Sequence, residues 1–373
     1  MPQEVGMQET NSKWTRRDFL LSSVLAGSAI ALHSSGWGDS AKKRNIKLGF
    51  DNFSVRSMGW KAPELLDYAA SLKVDVLMMS DLDVYESFED DYLHDVKKKA
   101  DELGIEIHAG TGGICPTSPR FNKKYGAAEE HLALAIRVAK ALGSPVARCY
   151  LGSSQDRQGD GGIYRHIEST VRVCRAVRSL AIDANVKIAI ENHAGDMQAW
   201  ELVELIEAAG KEYVGATMDS GNAAWAIEDP MVNLEVLGPY AASSGMRDSA
   251  VWETEHGACV EWTNIGDGNV DWNAYLDRYM QICPNVPFIL EIISQIGPRT
   301  YDYLKPEFWD VFPKARAAEF ARFVALAKRG KPFVPPPERP SGERSEKLTQ
   351  QQHQFDLERS IQYCKKVLGL GLH

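Results

Sequence analysis

Apolar and polar positions repeat one theme along the chain. From Ile46 a short apolar run ends in polar or glycine residues, and a stretch with helical spacing follows. Eight runs read this way: 46-IKLGFDNFS-54, 74-VDVLMMSD-81, 105-IEIHAGTGG-113, 146-VARCYLGS-153, 187-KIAIENHAG-195, 214-VGATMDSGN-222, 241-AASSGMRDS-249 and 287-PFILEIIS-294. Helical patterns lie between most of them, among them 62-APELLDYAASLK-73, 127-AAEEHLALAIRVAKALG-143, 164-YRHIESTVRVCRAVRSLAIDA-184 and 200-WELVELIEAAG-210. In the second of these, Leu132, Leu134, Ile136, Val138 and Leu142 share one broad apolar face. Eight alternations of strand and helix predict parallel strands with helical crossovers. This is an α/β fold closed as a TIM (β/α)8 barrel over residues 46–328. An open doubly wound sheet would carry a glycine-rich nucleotide loop after its first strand. The segment 50-FDNFSVR-56 has none.

Both flanks depart from the theme. Arg16 and Arg17 precede the uncharged run Phe19 to Leu32, which is too short to span a bilayer but right for a signal peptide. Ala29-Ile30-Ala31 offers a small-x-small cleavage site, and the paired arginines before Phe and Leu resemble a twin-arginine export signal. Residues 1–40 are therefore expected to be a leader. The mature protein is then periplasmic or extracellular, with no stable membrane insertion once the signal is removed. Residues 329–343 are rich in Pro and charge and read as an extended linker. After them, Leu357, Ile361, Cys364 and Leu368 form the apolar stripe of a helix. Residues 329–373 thus form a C-terminal helical extension, expected to dock on the barrel or on a second subunit.

Composition narrows the function. The net charge of −9 over 373 residues opposes non-specific nucleic-acid binding, which needs a basic surface. The six cysteines contain no C-x-x-C pair, so no zinc or redox motif is visible and free buried thiols are expected.

Barrel active sites are built where the strands end. Those ends present Asp51, Asn52 and Arg56; Asp81; His108; Arg148 and Tyr150; Glu191, Asn192 and His193; Asp219, Ser220 and Asn222; Arg247 and Asp248; and Glu291. Glu191, Asp219 and Glu291 each follow an apolar run. A carboxylate at the end of a buried strand is costly unless it is paired or metal-bound. Three converging on one barrel mouth repel one another, and a divalent cation relieves the repulsion. Oxygen donors suit Mn²⁺, Mg²⁺, Co²⁺ or Zn²⁺. The competing reading gives each carboxylate its own Arg, Lys or backbone N–H. His193 is read as a wall residue, and His108 as either a substrate contact or barrel filling. Trp60, Trp225, Trp252 and Trp262 lie in or beside these loops, where one or two can stack on a sugar ring. The loop 263-TNIGDGNVDW-272 either covers the site or joins the barrel to a helix capped by Asp271.

With 191-ENH-193, 219-DSGN-222, 266-GDGNVDW-272 and the strand ending at Glu291 in place, the chain resembles the xylose isomerase-like sugar isomerases and epimerases. It resembles in particular the exported, twin-arginine members of this sugar phosphate isomerase/epimerase superfamily. The resemblance runs from about Ile46 to about Lys328. It implies a TIM barrel with one divalent metal, held by Glu191, Asp219 and Glu291. It also implies a histidine ligand after strand seven, within a His-x-Lys-Asp pattern. Here 245-GMRD-248 puts Gly245 in the histidine's place, while Arg247 and Asp248 keep the rest. His256 in the following loop is one candidate substitute, and a fixed positive charge on Arg247 is another. The implied activity moves a proton next to a carbonyl, with Glu191 and Glu291 as catalytic groups. His108, His193, Asn222, Trp225, Arg247 and Asp248 are the substrate-binding candidates. Export points to an unphosphorylated sugar or keto-sugar. A lyase or hydratase using the same enolate chemistry on a keto-glycoside is the alternative, as is an inactive carbohydrate-binding barrel. A homo-oligomer is compatible with the resemblance and the C-terminal helix.

Overall fold

A computed structural model describes residues 42–293 and 296–373. The leader expected over residues 1–40 lies outside them, as does the last residue of the eighth apolar run, Ser294. The eight apolar runs form eight parallel strands: β1 (Leu48–Asp51), β2 (Val76–Met79), β3 (Glu106–Gly113), β4 (Val146–Tyr150), β5 (Lys187–Glu191), β6 (Val214–Met218), β7 (Ala241–Ser244) and, after two further strands, β10 (Phe288–Leu290). They lie side by side in the order β10-β1-β2-β3-β4-β5-β6-β7. A parallel bridge between Met246 and Leu290 joins the two ends and closes a TIM barrel.

Alternation across each strand separates two environments. Val76, Met78 and Ile289 form a small cluster inside the barrel. Their neighbours Leu77, Met79, Phe288 and Leu290 join the main core under the helices. That outer layer contains α1 (Ala62–Ser71), α2 (Asp90–Leu103), α3 (Ala128–Ala141), α4 (Gly162–Ala176), α5 (Arg178–Ala184), α6 (Ala199–Ala209), α7 (Ser220–Trp225), α8 (Pro230–Leu237) and α9 (Trp272–Ile282). The single helix read over 164–184 is divided at Val177, whose φ of −105° and ψ of 11° leave the helical region. All six cysteines are free and buried.

Strand seven is shorter than its apolar run suggests. Pairing lapses after Ser244 because the serine side chain takes over. Its hydroxyl donates to Pro287 O at 2.7 Å and accepts from Ile289 N–H at 2.9 Å. The backbone of Met246 then resumes contact with β10, accepting from Glu291 N–H at 2.9 Å. From Asp248 the chain leaves the barrel as a hairpin, β8 (Asp248–Thr254) and β9 (Gly257–Thr263), which β11 (Arg299–Tyr301) extends to a three-stranded antiparallel sheet. The sheet has its own core, where Val251, Val260 and Trp262 meet Phe323 and Leu326 of α10 (Ala317–Arg329). The last helix, α11 (Glu346–Lys366), buries Leu357, Ile361, Cys364 and Leu368 in the main core of the barrel. Among the described residues no helix is long and apolar enough to cross a membrane.

Candidate active site

The segment 191-ENHAGD-196 shows how the sequence builds this site. Glu191 ends β5 facing into the barrel, and the chain turns at once through Ala194 (φ 48°) and Gly195 (φ 79°). A side chain at Gly195 would press on the carbonyl of Trp225. Asp196 closes the turn. Its Oδ1 accepts from His193 N–H at 2.8 Å and Met197 N–H at 2.6 Å, and its Oδ2 accepts from Gly152 N–H at 3.1 Å. Burial pushes the Asp196 carboxyl up to about 7. Asn192 ties β5 to β6. Its amide donates to Asp219 O at 2.8 Å and its carbonyl accepts from Asp219 N–H at 2.9 Å. Asn222 holds the reactive end, donating to Glu191 Oε1 at 3.0 Å and accepting from Ala194 N–H at 2.9 Å.

Glu191, Asp219 and Glu291 converge. Each is buried, and one oxygen from each lies within 4.8 Å of the others. Arg148 from β4 ion-pairs with Glu191, its Nε donating to Oε2 at 2.6 Å. Arg247 ion-pairs with both Asp219 and Glu291 through Nη2. Its Nε and Nη1 are buried without an acceptor among the described residues. Asp51, at the end of β1, joins the set and accepts from the Ser80 hydroxyl at 2.6 Å.

Charge decides what this set can hold. Four carboxylates meet two buried guanidiniums, with Arg56 also acting on Glu291, so full ionisation leaves negative charge uncompensated in a buried site. Burial, with the charge of Glu291 next, pushes Asp51 up to about 7. Burial also carries Asp219 to about 7 and Glu191 well above the usual carboxylate range. Glu291 moves the other way: burial pushes it up, but Arg247 and Arg148 outweigh this and hold it below its ordinary value. One carboxyl raised and one lowered is the separation that an acid–base pair needs. A divalent cation fits by charge and by donor chemistry, as it neutralises the excess with the oxygen ligands it prefers. Arg247 stands in as the cation, and its two unsatisfied buried nitrogens, Nε and Nη1, cost about 1–3 kcal/mol each in that position. An ideal Cβ on Gly245 would lie 3.4 Å from Asp219 Oδ2 and 3.7 Å from Glu291 Oε2, so this residue does face the cluster.

Above the cluster lies a cavity of about 320 Å³, lined by His193, Asn222, Arg247 and Glu291 together with Arg148, Tyr150, Phe53 and Trp262. His193 stacks on Tyr150 at 3.8 Å, and Gly152 O is 2.6 Å from its Nδ1. Burial pushes the imidazole down to about 3, so it is a neutral wall.

Three expected substrate contacts lie away from this cavity. His108 is buried in the barrel, with Nδ1 2.8 Å from Ser243 Oγ and Nε2 3.0 Å from Glu106 Oε1, and so fills the interior. Asp248 accepts from Gly266 N–H at 2.9 Å, Ser249 N–H at 2.8 Å and Trp272 Nε1–H at 2.7 Å, which makes it the anchor of the 264–272 loop. Trp225 is covered on its faces, stacked on Trp262 at 3.5 Å and under the Arg299 guanidinium. His256 is exposed at the hairpin turn, outside the cluster. Asp271 caps α9 by accepting from Ala274 N–H at 3.1 Å. The sequence placed Asp51 and Arg148 at strand ends without giving either a role. Their signal was parity, since each shares the inward face of its strand.

A family model for the xylose isomerase-like TIM barrel matches residues 66–306, more than half of the chain. The chain belongs to this family. Solved barrels share its fold at low identity. A D-psicose 3-epimerase is 14% identical, covering 87% of this chain and 100% of its own, with a TM-score of 0.56. A zinc-binding IOLI protein is 16% identical, covering 76% and 95%, with a TM-score of 0.52. A xylose isomerase domain protein from Planctomyces limnophilus is 18% identical, covering 61% and 84%, with a TM-score of 0.51. Comparison with curated proteins gives no match. Within this xylose isomerase-like barrel, Glu191, Asp219 and Glu291 occupy the strand ends at which active sites of the fold are built.

Proposed function

We propose that the protein is a sugar isomerase or epimerase that moves a proton at a carbon beside the carbonyl of an unphosphorylated sugar or keto-sugar. The observation that carries this reading is the meeting of buried Glu191, Asp219 and Glu291 beneath one cavity, which Glu291 itself lines. Glu191 and Glu291 come from strands separated around the barrel. One carboxylate removes the proton while the C–H electron pair moves toward the carbonyl oxygen. The other returns a proton to the opposite face, which inverts the carbon. Asn222 and Arg148 fix the Glu191 carboxyl for this task, and the His193–Tyr150 stack walls the cavity. Glu191, Asp219 and Glu291 would hold a divalent cation in place of the contacts Arg247 makes now. When bound, such an ion supplies a Lewis acid that polarises the substrate carbonyl. The psicose epimerase and the zinc-binding barrel support the choice of sugar chemistry and of metal use. The arginine pair near the N-terminus supports export to the periplasm or beyond, which favours unphosphorylated substrates.

The test is incubation with candidate keto-sugars in D₂O. Deuterium at one carbon, in a product of otherwise unchanged composition, is the expected result. Loss of water would instead select the lyase or hydratase reading. No wash-in with any sugar, from protein loaded with Mn²⁺, Co²⁺ or Zn²⁺, would leave a carbohydrate-binding barrel.

A further inference from the structure

Trp262 stands between two cavities. Trp262 and Ile293 line the cavity over the carboxylates and also a second cavity of about 210 Å³. Its far wall comes from the Pro-rich segment that reads as a linker, through Phe333 and Pro335. That segment is pinned at both ends. Gly330 packs against the backbone of Val251 so closely that a Cβ would collide with its carbonyl. Arg339 grips Asp356 of α11, with Nε 3.0 Å from Oδ1 and Nη2 2.9 Å from Oδ2. Proline fixes φ, so a pinned segment holding Pro335, Pro336 and Pro337 is a stiff wall. The near wall is β9, which contributes Glu261. This carboxylate makes no hydrogen bond or ion pair among the described residues, and partial burial pushes it above its ordinary value. Trp262 is a fixed partition. Trp225 covers one face at 3.5 Å, the Arg247 guanidinium lies 4.2 Å over the ring, and Nε1 donates to Gly221 O at 2.9 Å.

We propose that this second cavity is a subsite for the second ring of a glycoside, so that the substrate is a two-ring sugar whose reacting ring sits over Glu191 and Glu291. This rests on the isomerase or epimerase reading and names its substrate class. The chemistry suits a neutral pyranose. Phe333, Pro335 and Ile293 give apolar surface for its C–H face, and the unpaired Glu261 carboxylate accepts from its hydroxyls. An anionic group would meet Glu261, while the Arg339 guanidinium is already neutralised by Asp356. The two cavities jointly fall inside the range of roughly 300–1,000 Å³ typical of ligand sites.

The test is calorimetric binding to the full chain in excess Mn²⁺, using D-glucose against cellobiose and maltose, and D-galactose against lactose. At least one disaccharide should bind about tenfold or more tightly than its monosaccharide. Phe333→Ala and Glu261→Gln should each reduce that gain and leave monosaccharide affinity unchanged. If a monosaccharide binds and no disaccharide binds better, the subsite is refuted and the isomerase reading stands. A gain that survives in both variants also refutes it. If no sugar in the panel binds, the subsite is refuted, and the isomerase reading is decided separately by deuterium wash-in with keto-sugars.

Discussion

A buried carboxylate without a counter-charge is a strong demand on its surroundings, and Glu291 meets that demand by pairing with Arg247 at the floor of the cavity. Glu291→Gln keeps the shape and removes the base. Turnover should fall by about 10²–10⁴-fold while the circular dichroism spectrum is unchanged, and near-normal turnover would remove Glu291 from the mechanism. Gly245 carries a second expectation. Its Cα already points at Asp219 and Glu291, so Gly245→His adds an imidazole beside the carboxylates. Mn²⁺ or Zn²⁺ affinity, read by calorimetry, should rise by about tenfold or more, a gain of about 1.4 kcal/mol. Arg247→Met should act in the same direction by removing the competing guanidinium. Without metal it leaves Asp219 and Glu291 unpaired, a cost of about 3–5 kcal/mol, so its melting temperature should depend on added Mn²⁺ far more than the wild type's does. Equal metal affinity in both variants and the wild type would show that Gly245 and Arg247 do not limit binding. The carboxylates were legible in the sequence because each ends an apolar run. The positive charge of Arg247 at this site was legible too, as one candidate substitute for the histidine; that its one guanidinium bridges both Asp219 and Glu291 was not, because a long side chain goes where tertiary packing leaves an opposite charge. Asp248 and Trp225 misled for a related reason. Each sits close in sequence to a site residue, yet Asp248 is turned to the 264–272 loop and Trp225 is covered by Trp262.

At the scale of elements, strands β1 to β6 and β10 were legible from run length and period, whereas the hairpin was not. Residues 250-AVWETEHGACVEW-262 alternate and turn at Glu255-His256, but a search for strands followed by helices passes over an antiparallel pair. Its neighbours in space, α10 and β11, lie far along the chain. The joint between α6 and α8 supplies a test of another kind. Glu228 is buried, accepting from Ala199 N–H at 3.1 Å and from Asn233 Nδ2–H at 3.0 Å, while Asn233 Oδ1 is buried without a donor. Burial pushes this carboxyl up from 4.5 to about 8. A raised folded value means that the protonated form belongs to the folded state. Its contribution is complete below the ordinary value and is lost as the pH rises toward 8. The loss approaches about 1.4 kcal/mol per pH unit inside that window. Glu228→Gln can donate to a turned Asn233 amide and does not ionise. Urea melts should therefore show the variant gaining on the wild type as the pH rises through the window. Parallel stability curves would mean that Glu228 stays ionised in the folded protein.

At the scale of the molecule, the C-terminal helix braces the first strand–helix unit. Its apolar stripe is buried against its own barrel, so these four residues are not free to form a subunit interface. Polar contacts fix the register: Ser57 Oγ lies 2.7 Å from His353 Nδ1, Gln350 Nε2–H donates to Ser57 O at 3.2 Å, and Tyr68 O–H donates to Glu358 at 3.1 Å. The braced segment, Asn52–Met58, carries Phe53 into the cavity wall. The helix therefore supports the site from the far end of the chain. Leu357 is fully buried, and Leu357→Ala should cost about 2–5 kcal/mol through lost apolar contact and the cavity left behind. The melting temperature should drop, and amide exchange should quicken in residues 52–58 before it does in β4 or β5. A helix that merely rested on the barrel would give a different result, with exchange in 52–58 unchanged and any loss of stability confined to residues 346–366. Exchange measured peptide by peptide separates the two outcomes, because the brace predicts a response nearly three hundred residues from the substitution.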